Sequence, residues 1–302
     1  PEPAVLYRAL AEMKRDGAEY VFIEASSHAL AMGRLAPLNF AAHLARHGER
    51  SFMLSAVGDD RLGAEALAQV RQWGVSTEHI AVLPEKQTGC CLVTLDERLV
   101  PSYNLLRDVA YDHIPCDNLS GEFDVLYFGT LALRSEANRR TLEKLLAERQ
   151  FKEVFVDVNI RPPFYSAETV RFAVENATIL KVSEEELPVL WTALGSDAAT
   201  DYEVAAKQLA ASFKNLSCVI MTLGEKGAYV LRCKDGAACH RDGEVVEVRS
   251  TVGAGDSFCA AFLAKHLQGH PMDACLKYAV KVAGFVVSEY DAVPDYALED
   301  LL

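Results

Sequence analysis

No stretch of the sequence approaches the ~18–20 consecutive apolar residues that a membrane-spanning helix needs. The first residues also lack the basic-then-apolar pattern of a secretory signal peptide. Positive charge is scarce, because 30 Lys and Arg stand against 43 Asp and Glu, for a net charge of −13. Nucleic acids and anionic membranes are bound by clustered Lys and Arg. We therefore expect a cytoplasmic protein whose partners include no nucleic acid and no membrane.

Several motifs of metal binding and catalysis are missing as well. The 8 cysteines include no Cys-x-x-Cys pair, so a zinc site is not predicted and the thiols are expected to be reduced, small apolar residues. There is no Walker P-loop and no G-x-S-x-G nucleophile elbow. A dinucleotide fingerprint is absent too, because Phe258 stands where a third glycine would be needed.

What the sequence does contain is an alternation of apolar runs and amphipathic segments. Strands are predicted at 19–25, 51–58, 125–133, 153–159, 177–183 and 217–224. Helices are predicted at 36–48, 61–74 and 135–150, ended by Gly48 and Gly74 or begun by Ser135. This order predicts an α/β fold with a mainly parallel sheet covered by helices on both faces. Ligands of such folds bind at the carboxyl ends of the strands.

Residues 89–106, GCCLVTLDERLVPSYNLL, break the alternation. They predict two strands joined without a helix, which indicates a hairpin-like insertion. In an α/β enzyme such an insertion is either a lid over the site or an extension of the sheet.

The segment STVGAGDSFCAAFL, residues 250–263, joins a glycine-rich turn to a helical apolar pattern. Glycines permit positive φ angles and close approach of the backbone to a ligand. The N–H groups of Gly253 to Asp256 are expected to point outward at a helix N-terminus, where they attract an anion. Asp256 itself has two interpretations: an N-terminal cap worth ~1 kcal/mol, or a base that accepts the proton of an attacking hydroxyl.

Eight further stretches occur in a definite order around this segment. They are LNFAAHLARHG, SAVGDDRLG, WGVST, QTGCCLVTLDE, YFGTLALRSE, FVDVNIRPPFY, KVSEEEL and MTLGEKGAYVL. Together with STVGAGDSFCAAFL, they make the chain from about Ala36 onward similar to the ribokinase-like (PfkB) carbohydrate kinases. The motif sequences most resemble those of bacterial fructokinases. The resemblance implies a three-layer α/β/α fold with a small, incomplete β lid. It also implies ATP-dependent phosphorylation of a sugar hydroxyl, fructose before other sugars.

The resemblance assigns the centre of the reaction to the glycine-rich turn. Asp256 becomes the base that deprotonates the sugar hydroxyl. The amides of Gly253, Ala254 and Gly255 become the anion hole for the transferred phosphoryl group.

The resemblance also implies an ATP site. It is formed by Lys181 and Ser183 of KVSEEEL and by Thr222, Gly224 and Gly227 of TLGEKG, where glycines let the nucleotide approach the backbone. For these glycines a plain β-turn is the alternative.

Two implied ion sites involve departures from the family pattern. Glu186 would hold Mg²⁺ through water, although Ser183 stands where the family has Asn; the alternative is a solvated carboxylate at a helix start. Ser250 replaces an Asp that helps to build a monovalent-cation site, which weakens the case for potassium activation.

Sugar binding is implied for four residues: Asn39, Asp157, Asn159 and Arg161. The alternatives are an ion pair for Arg161 and an ordinary polar position near a helix N-terminus for Asn39. Family members often dimerise through the lid, so with part of it missing we expect a weakened homodimer or a monomer.

Residues 1–35 resemble instead the central domain of a Mur ligase, the enzyme that makes UDP-N-acetylmuramoyl-tripeptide, above all at EASSHAL. Glu24 and His28 are not expected to form a working ligase site, because the ligase P-loop is absent. We expect this segment to supply its strand at 20–25 to the sheet, while Arg34 and Leu35 obstruct the sugar. A ribokinase-fold protein that binds nucleotide or a partner without turnover is the alternative to a kinase.

Overall fold

The computed structural model describes residues 21–22, 31–32, 36–95, 101–115, 122–196, 199 and 201–301. The predictions for Glu24, His28, Arg34 and Leu35 lie outside these residues. Over the described part of the chain, no helix combines the length and the apolar character needed to cross a membrane.

The strands and helices follow the predicted alternation. The strands are β1 (Val21–Phe22), β2 (Ala31–Met32), β3 (Ser55–Gly58), β4 (Ile80–Leu83), β5 (Cys91–Leu95), β6 (Pro101–Leu105), β7 (Val125–Gly129), β8 (Glu153–Asp157), β9 (Ile179–Ser183), β10 (Cys218–Thr222), β11 (Ala228–Arg232) and β12 (Ala238–Arg241). The helices are α1 (Ala36–Arg46), α2 (Arg61–Gln72), α3 (Glu136–Glu148), α4 (Ala167–Asn176), α5 (Leu187–Leu194), α6 (Tyr202–Ser212), α7 (Ala254–Leu267) and α8 (Met272–Val287).

The central sheet has seven strands in the order β12-β11-β10-β9-β8-β7-β2. Strands β2, β7, β8, β9 and β10 run parallel, and β11 and β12 are added antiparallel at one edge. The mainly parallel sheet predicted from the alternation is therefore confirmed. Its parallel strands all end at one edge, where ligands bind in such folds.

Each face of this sheet packs against its own set of helices. Strand side chains point alternately to the two faces, so Tyr127 packs with α1, α7 and α8, whereas its neighbours Leu126 and Phe128 pack with α3 to α6. Both apolar layers are continuous and almost fully buried. The result is the three-layer α/β/α arrangement.

The insertion predicted at 89–106 contains β5 and β6, which pair antiparallel with Cys91 opposite Leu105. Val21 and Phe22 pair with β5 in this small sheet, so they do not fill the position in the central sheet expected for the strand at 20–25. The N-terminal segment reaches the central sheet at Ala31 and Met32 instead, beside β7. That the small sheet serves as a lid stays a prediction.

Strands β3 and β4 form a separate parallel pair.

A cavity of about 430 Å³ opens between the start of β7 and the residues before β3, with Phe40, Phe52 and Tyr127 among its walls. Its lining lies at the amino ends of the strands, away from the glycine-rich turn.

Candidate active site

Helix α7 begins directly after the glycine-rich turn. Gly253 is its N-cap residue with φ +83°, a left-handed conformation that favours glycine. The first-turn N–H groups have no carbonyl partner within the helix and lie at the positive end of the helix dipole. The N–H of Ala254 donates a long hydrogen bond, 3.4 Å, to the carbonyl oxygen of Thr251 in the turn. Because Gly253 is the N-cap residue and the side chain of Asp256 accepts a hydrogen bond from Asn39, Asp256 is not the N-terminal cap of this helix.

Asp256 lies instead in the first turn of α7, 8% exposed, against helix α1. The side-chain amide of Asn39 donates a hydrogen bond to Oδ2 of Asp256 over 2.9 Å. Burial raises the pKa of Asp256 to about 7, and the hydrogen bond from Asn39 only partly opposes this rise. A carboxylate with a pKa near neutrality is suited to general base catalysis.

A buried ion pair lies beside this carboxylate. Nζ of Lys181, in the middle of β9, is 3.0 Å from Oδ1 of Asp157 at the end of β8. Burial alone would lower the pKa of Lys181, but the charges of Asp157 and Glu186 hold it above its usual value, so the side chain is cationic. A Cβ atom placed on Gly255 would lie 3.7 Å from this ammonium group, which therefore adds positive charge beside the turn.

Glu186 follows β9 and turns its carboxylate toward the protein backbone. Its Oε2 accepts hydrogen bonds from the N–H and hydroxyl of Ser183, at 2.8 and 2.9 Å. Its Oε1 accepts from the N–H of Ile160 at 2.6 Å. A carboxylate has about four acceptor sites, so one is left for a water molecule. Glu186 fits the role of holding a Mg²⁺-bound water, and it does not fit that of a direct ligand.

The turn after β10 carries the residues predicted to line the ATP site. Gly224 has φ +60° and faces open space, as an approach to the backbone requires. Gly227 has φ +88°, but a Cβ atom there would lie 1.9 Å from the carbonyl oxygen of Arg241. The structure therefore explains Gly227 by its packing against the end of β12. Thr222 is the last residue of β10, directly before this turn. Nucleotide contact by these residues stays a prediction.

These two glycines form a matched pair for mutation. Gly227→Ala should lower the free energy of unfolding by about 3 kcal/mol, because it adds an overpacked Cβ to a strained backbone. Gly224→Ala should cost about 1 kcal/mol, the penalty of a left-handed residue alone. Urea unfolding of both variants measures the difference. Equal losses would contradict the packing role of Gly227.

The four residues predicted to bind sugar are only partly brought together. Asp157 ends β8 and Asn159 follows it, whereas Asn39 lies on α1 against Asp256. Asn159 is held at φ +41°, which is strained for a residue other than glycine. Asp157 and Asn159 line a hollow of about 20 Å³, the size of one water molecule. Arg161 is exposed at the edge of the site.

Ser250, at the position implied for the cation site, is buried, with 7% of its surface exposed. Its hydroxyl accepts a hydrogen bond from the N–H of Val252 at 3.3 Å. Within the described residues, no cluster of His, Cys, Asp and Glu is arranged to hold a metal ion.

Sequence reasoning missed a second set of residues behind the turn. His43 of α1 contacts the carbonyl of Ala292 and the hydroxyl of Tyr296. A signal was present, since Asn39, His43 and His47 are spaced four residues apart, which places them on one face of the predicted helix at 36–48.

Comparison with known proteins agrees with this geometry. The chain is 31% identical over 243 residues to probable fructokinase-4 of Arabidopsis thaliana, covering 76% of this chain and 72% of the relative. It is 29% identical over 239 residues to the fructokinase of Vibrio alginolyticus, covering 76% of this chain and 75% of the relative.

Solved structures share the fold. An uncharacterised sugar kinase of Pyrococcus horikoshii in complex with ATP superimposes with a TM-score of 0.70 at 26% identity, over 85% of this chain and 83% of that chain. The fructokinase of Vibrio cholerae with fructose, ADP and calcium superimposes with a TM-score of 0.74 at 24% identity, over 92% of this chain and 96% of that chain.

A model of the pfkB family carbohydrate kinases matches residues 36–297. This match begins after the segment that resembles a Mur ligase, and that second resemblance stays a prediction. Since the family model spans most of the sequence, the chain belongs to the pfkB family of carbohydrate kinases.

Proposed function

We propose that this protein transfers the γ-phosphoryl group of ATP to a hydroxyl of fructose. The observation that carries the proposal is Asp256, a buried carboxylate with a pKa of about 7 in the first turn of α7, beside the Gly253–Gly255 amides. Relatives named fructokinase favour fructose, although a relative of Salmonella typhi at 25% identity is named deoxyribokinase.

In this mechanism Asp256 accepts the proton of the sugar hydroxyl while the hydroxyl oxygen forms a bond to the γ-phosphorus. The bond from that phosphorus to the bridging oxygen breaks, and ADP leaves. Asn39 holds one carboxylate oxygen of Asp256 at 2.9 Å, which orients the other for the proton. Proton transfer to a positioned group contributes typically about 10²–10⁴-fold to a rate.

Charge that builds on the transferred group is stabilised from two directions. The amides of Gly253 to Gly255 donate hydrogen bonds from the positive end of α7. Lys181 supplies a cation beside Gly255. When bound, Mg²⁺ neutralises charge on the phosphate oxygens, and Glu186 would hold one of its waters. Asp157, Asn159 and Arg161 would orient the sugar.

The test is ADP release from ATP and Mg²⁺ with fructose, ribose, deoxyribose, glucose and ketodeoxygluconate, in wild type and Asp256→Ala. We expect fructose to give the highest kcat/KM and Asp256→Ala to lose at least about 10²-fold. A different preferred sugar would overturn the assignment of fructose. Background rates for every sugar in both proteins would overturn the kinase proposal and leave nucleotide binding without transfer.

A further inference from the structure

Three buried polar side chains lie along α1 and the residue that follows it. Asn39, His43 and His47 are spaced by four residues and are 3%, 0% and 7% exposed. Polar groups buried to this extent are normally hydrogen-bonded. Asn39 holds the proposed base, Asp256. His43 lies one turn further along the helix and holds a different segment of the chain.

Both ring nitrogens of His43 are engaged by the segment that follows α8. Nε2 lies 2.9 Å from the carbonyl oxygen of Ala292, and Nδ1 lies 2.8 Å from the hydroxyl oxygen of Tyr296. A carbonyl only accepts hydrogen bonds, so Nε2 carries the proton. In the neutral ring, Nδ1 then accepts the hydrogen bond of the Tyr296 hydroxyl. This pairing fixes a single tautomer.

The surroundings keep this ring neutral. Burial lowers the pKa of His43 to about 4, and the hydrogen bond to Ala292 only partly opposes this effect. His47 and Arg46 lower the pKa further, and Arg46 is itself paired with Asp295. The Nε2 donor is therefore present throughout the neutral range.

Ala292 is also the residue against which the glycine-rich turn rests. A Cβ atom on Gly253 would lie 2.6 Å from the carbonyl oxygen of Ala292 and 2.9 Å from its Cα. The carbonyl group that His43 holds is thus in close contact with the first residue of the anion-binding turn. A shift of Ala292 away from His43 would remove the support behind Gly253.

We propose that His43 is a positioning residue of the phosphoryl-transfer site, which holds Ala292 so that the Gly253–Gly255 amides keep their direction. Helix α1 then positions two parts of the site: Asn39 holds the base, Asp256, and His43 holds the residue that supports the anion hole. The proposal rests on the proposed kinase function for its kinetic consequence, whereas its structural consequence for the turn is independent of turnover.

The experiment compares His43→Leu and His43→Gln with wild type in the full chain. Leucine removes both hydrogen bonds; glutamine can donate to Ala292 and accept from Tyr296. We expect His43→Leu to lower kcat about tenfold, less than deletion of one donor to a transition-state anion costs, with KM for sugar changed less than twofold. His43→Gln should restore kcat to within about threefold of wild type, as the amide nitrogen replaces Nε2.

His47→Leu is the matched control. His47 is buried directly after the end of α1, and its two ring nitrogens contact the carbonyl oxygen of His43 and the hydroxyl of Tyr278. It should lose stability as His43→Leu does and keep kcat within about twofold of wild type, because both of its ring nitrogens are engaged by groups other than Ala292. Should His43→Leu not fold, His43→Asn takes its place, since the shorter side chain offers Tyr296 a partner and does not reach Ala292.

The second measurement is amide hydrogen exchange of a peptide covering residues 251–257. We expect exchange in this peptide to become at least about threefold faster in His43→Leu, or His43→Asn, and to stay unchanged in His47→Leu. Equal kcat and equal exchange in the His43 and His47 variants would overturn the proposal. If wild type phosphorylates no sugar, the proposed function fails, and exchange of this peptide alone decides the role of His43.

Discussion

Asp256→Asn is expected to lower kcat by about 10²–10⁴-fold while the protein stays folded. Asparagine has almost the shape of aspartate and keeps an oxygen that accepts the hydrogen bond from Asn39, but it does not take up the proton of the sugar hydroxyl. Steady-state ADP release measures kcat, and nucleotide affinity serves as the control, since the variant leaves the Gly253–Gly255 amides in place. A loss below about tenfold would contradict the role of Asp256 as base.

The same residue predicts a pH dependence of the wild type. The base acts in its deprotonated form, and the pKa of Asp256 is about 7. We therefore expect kcat/KM to rise about tenfold per pH unit below pH 7 and to level off above it. A profile that is flat between pH 5.5 and 8.5 would contradict this prediction.

Stability should change with pH in the opposite sense. Burial holds the pKa of Asp256 near 7 in the folded chain, against 3.8 as its ordinary value. Between these values the folded state binds a proton that the unfolded state has released, so stability falls as pH rises. Asp256→Asn lacks this group. Its unfolding free energy relative to wild type should therefore increase from pH 4 to about pH 7 and stay constant above.

Lys181→Met is expected to lower the free energy of unfolding by about 3–5 kcal/mol, the cost of breaking a buried ion pair from one side. Asp157, which is 2% exposed, loses the ammonium group that lies 3.0 Å from its carboxylate. We also expect kcat to fall, because a cation beside Gly255 is removed. Chemical unfolding at pH 7 measures the first effect and ADP release the second.

The double variant Asp157→Asn/Lys181→Met separates pairing from packing. With both charges removed, most of the stability should return, since no uncompensated charge stays buried. The kcat should stay low, because the missing ammonium group is not replaced and Asp157→Asn also changes a residue proposed to orient the sugar. If the double variant is as unstable as Lys181→Met, the loss comes from the packing of the lysine chain.

Elements with strong local signals were predictable from the sequence. The apolar runs at 153–159 and 177–183 contain β8 and β9, and Ser135 caps α3 as expected, its hydroxyl accepting from the N–H of Asn138. The strand predicted at 20–25 is expected in the central sheet, but its described residues, Val21 and Phe22, pair with β5. Apolar periodicity identifies a strand, but it does not determine which neighbour supplies the hydrogen bonds.

The candidate site likewise has a part that the sequence predicts and a part that depends on the tertiary structure. Its glycines and carboxylates follow recognisable motifs, and the helix start after Gly253 could be predicted from the turn. The resemblance predicts Glu186 as a metal-associated carboxylate, yet three hydrogen-bond donors of the protein occupy most of the acceptor sites on its oxygens. Those donors come from β9 and from the loop after β8, so their convergence depends on the sheet.

The sequence by itself determined the family, the alternation of strands and helices, and the glycine-rich turn with Asp256 beside it. All of these depend on neighbours within a few residues, where spacing and turn chemistry act directly. Only the tertiary structure decided the raised pKa of that aspartate and the contacts that hold the turn in place. Asn39 reaches Asp256 across 217 positions, and His43 reaches Ala292 across 249. Such contacts, and the burial that raises the pKa of Asp256, exist only once α1, α7 and the last segment pack together.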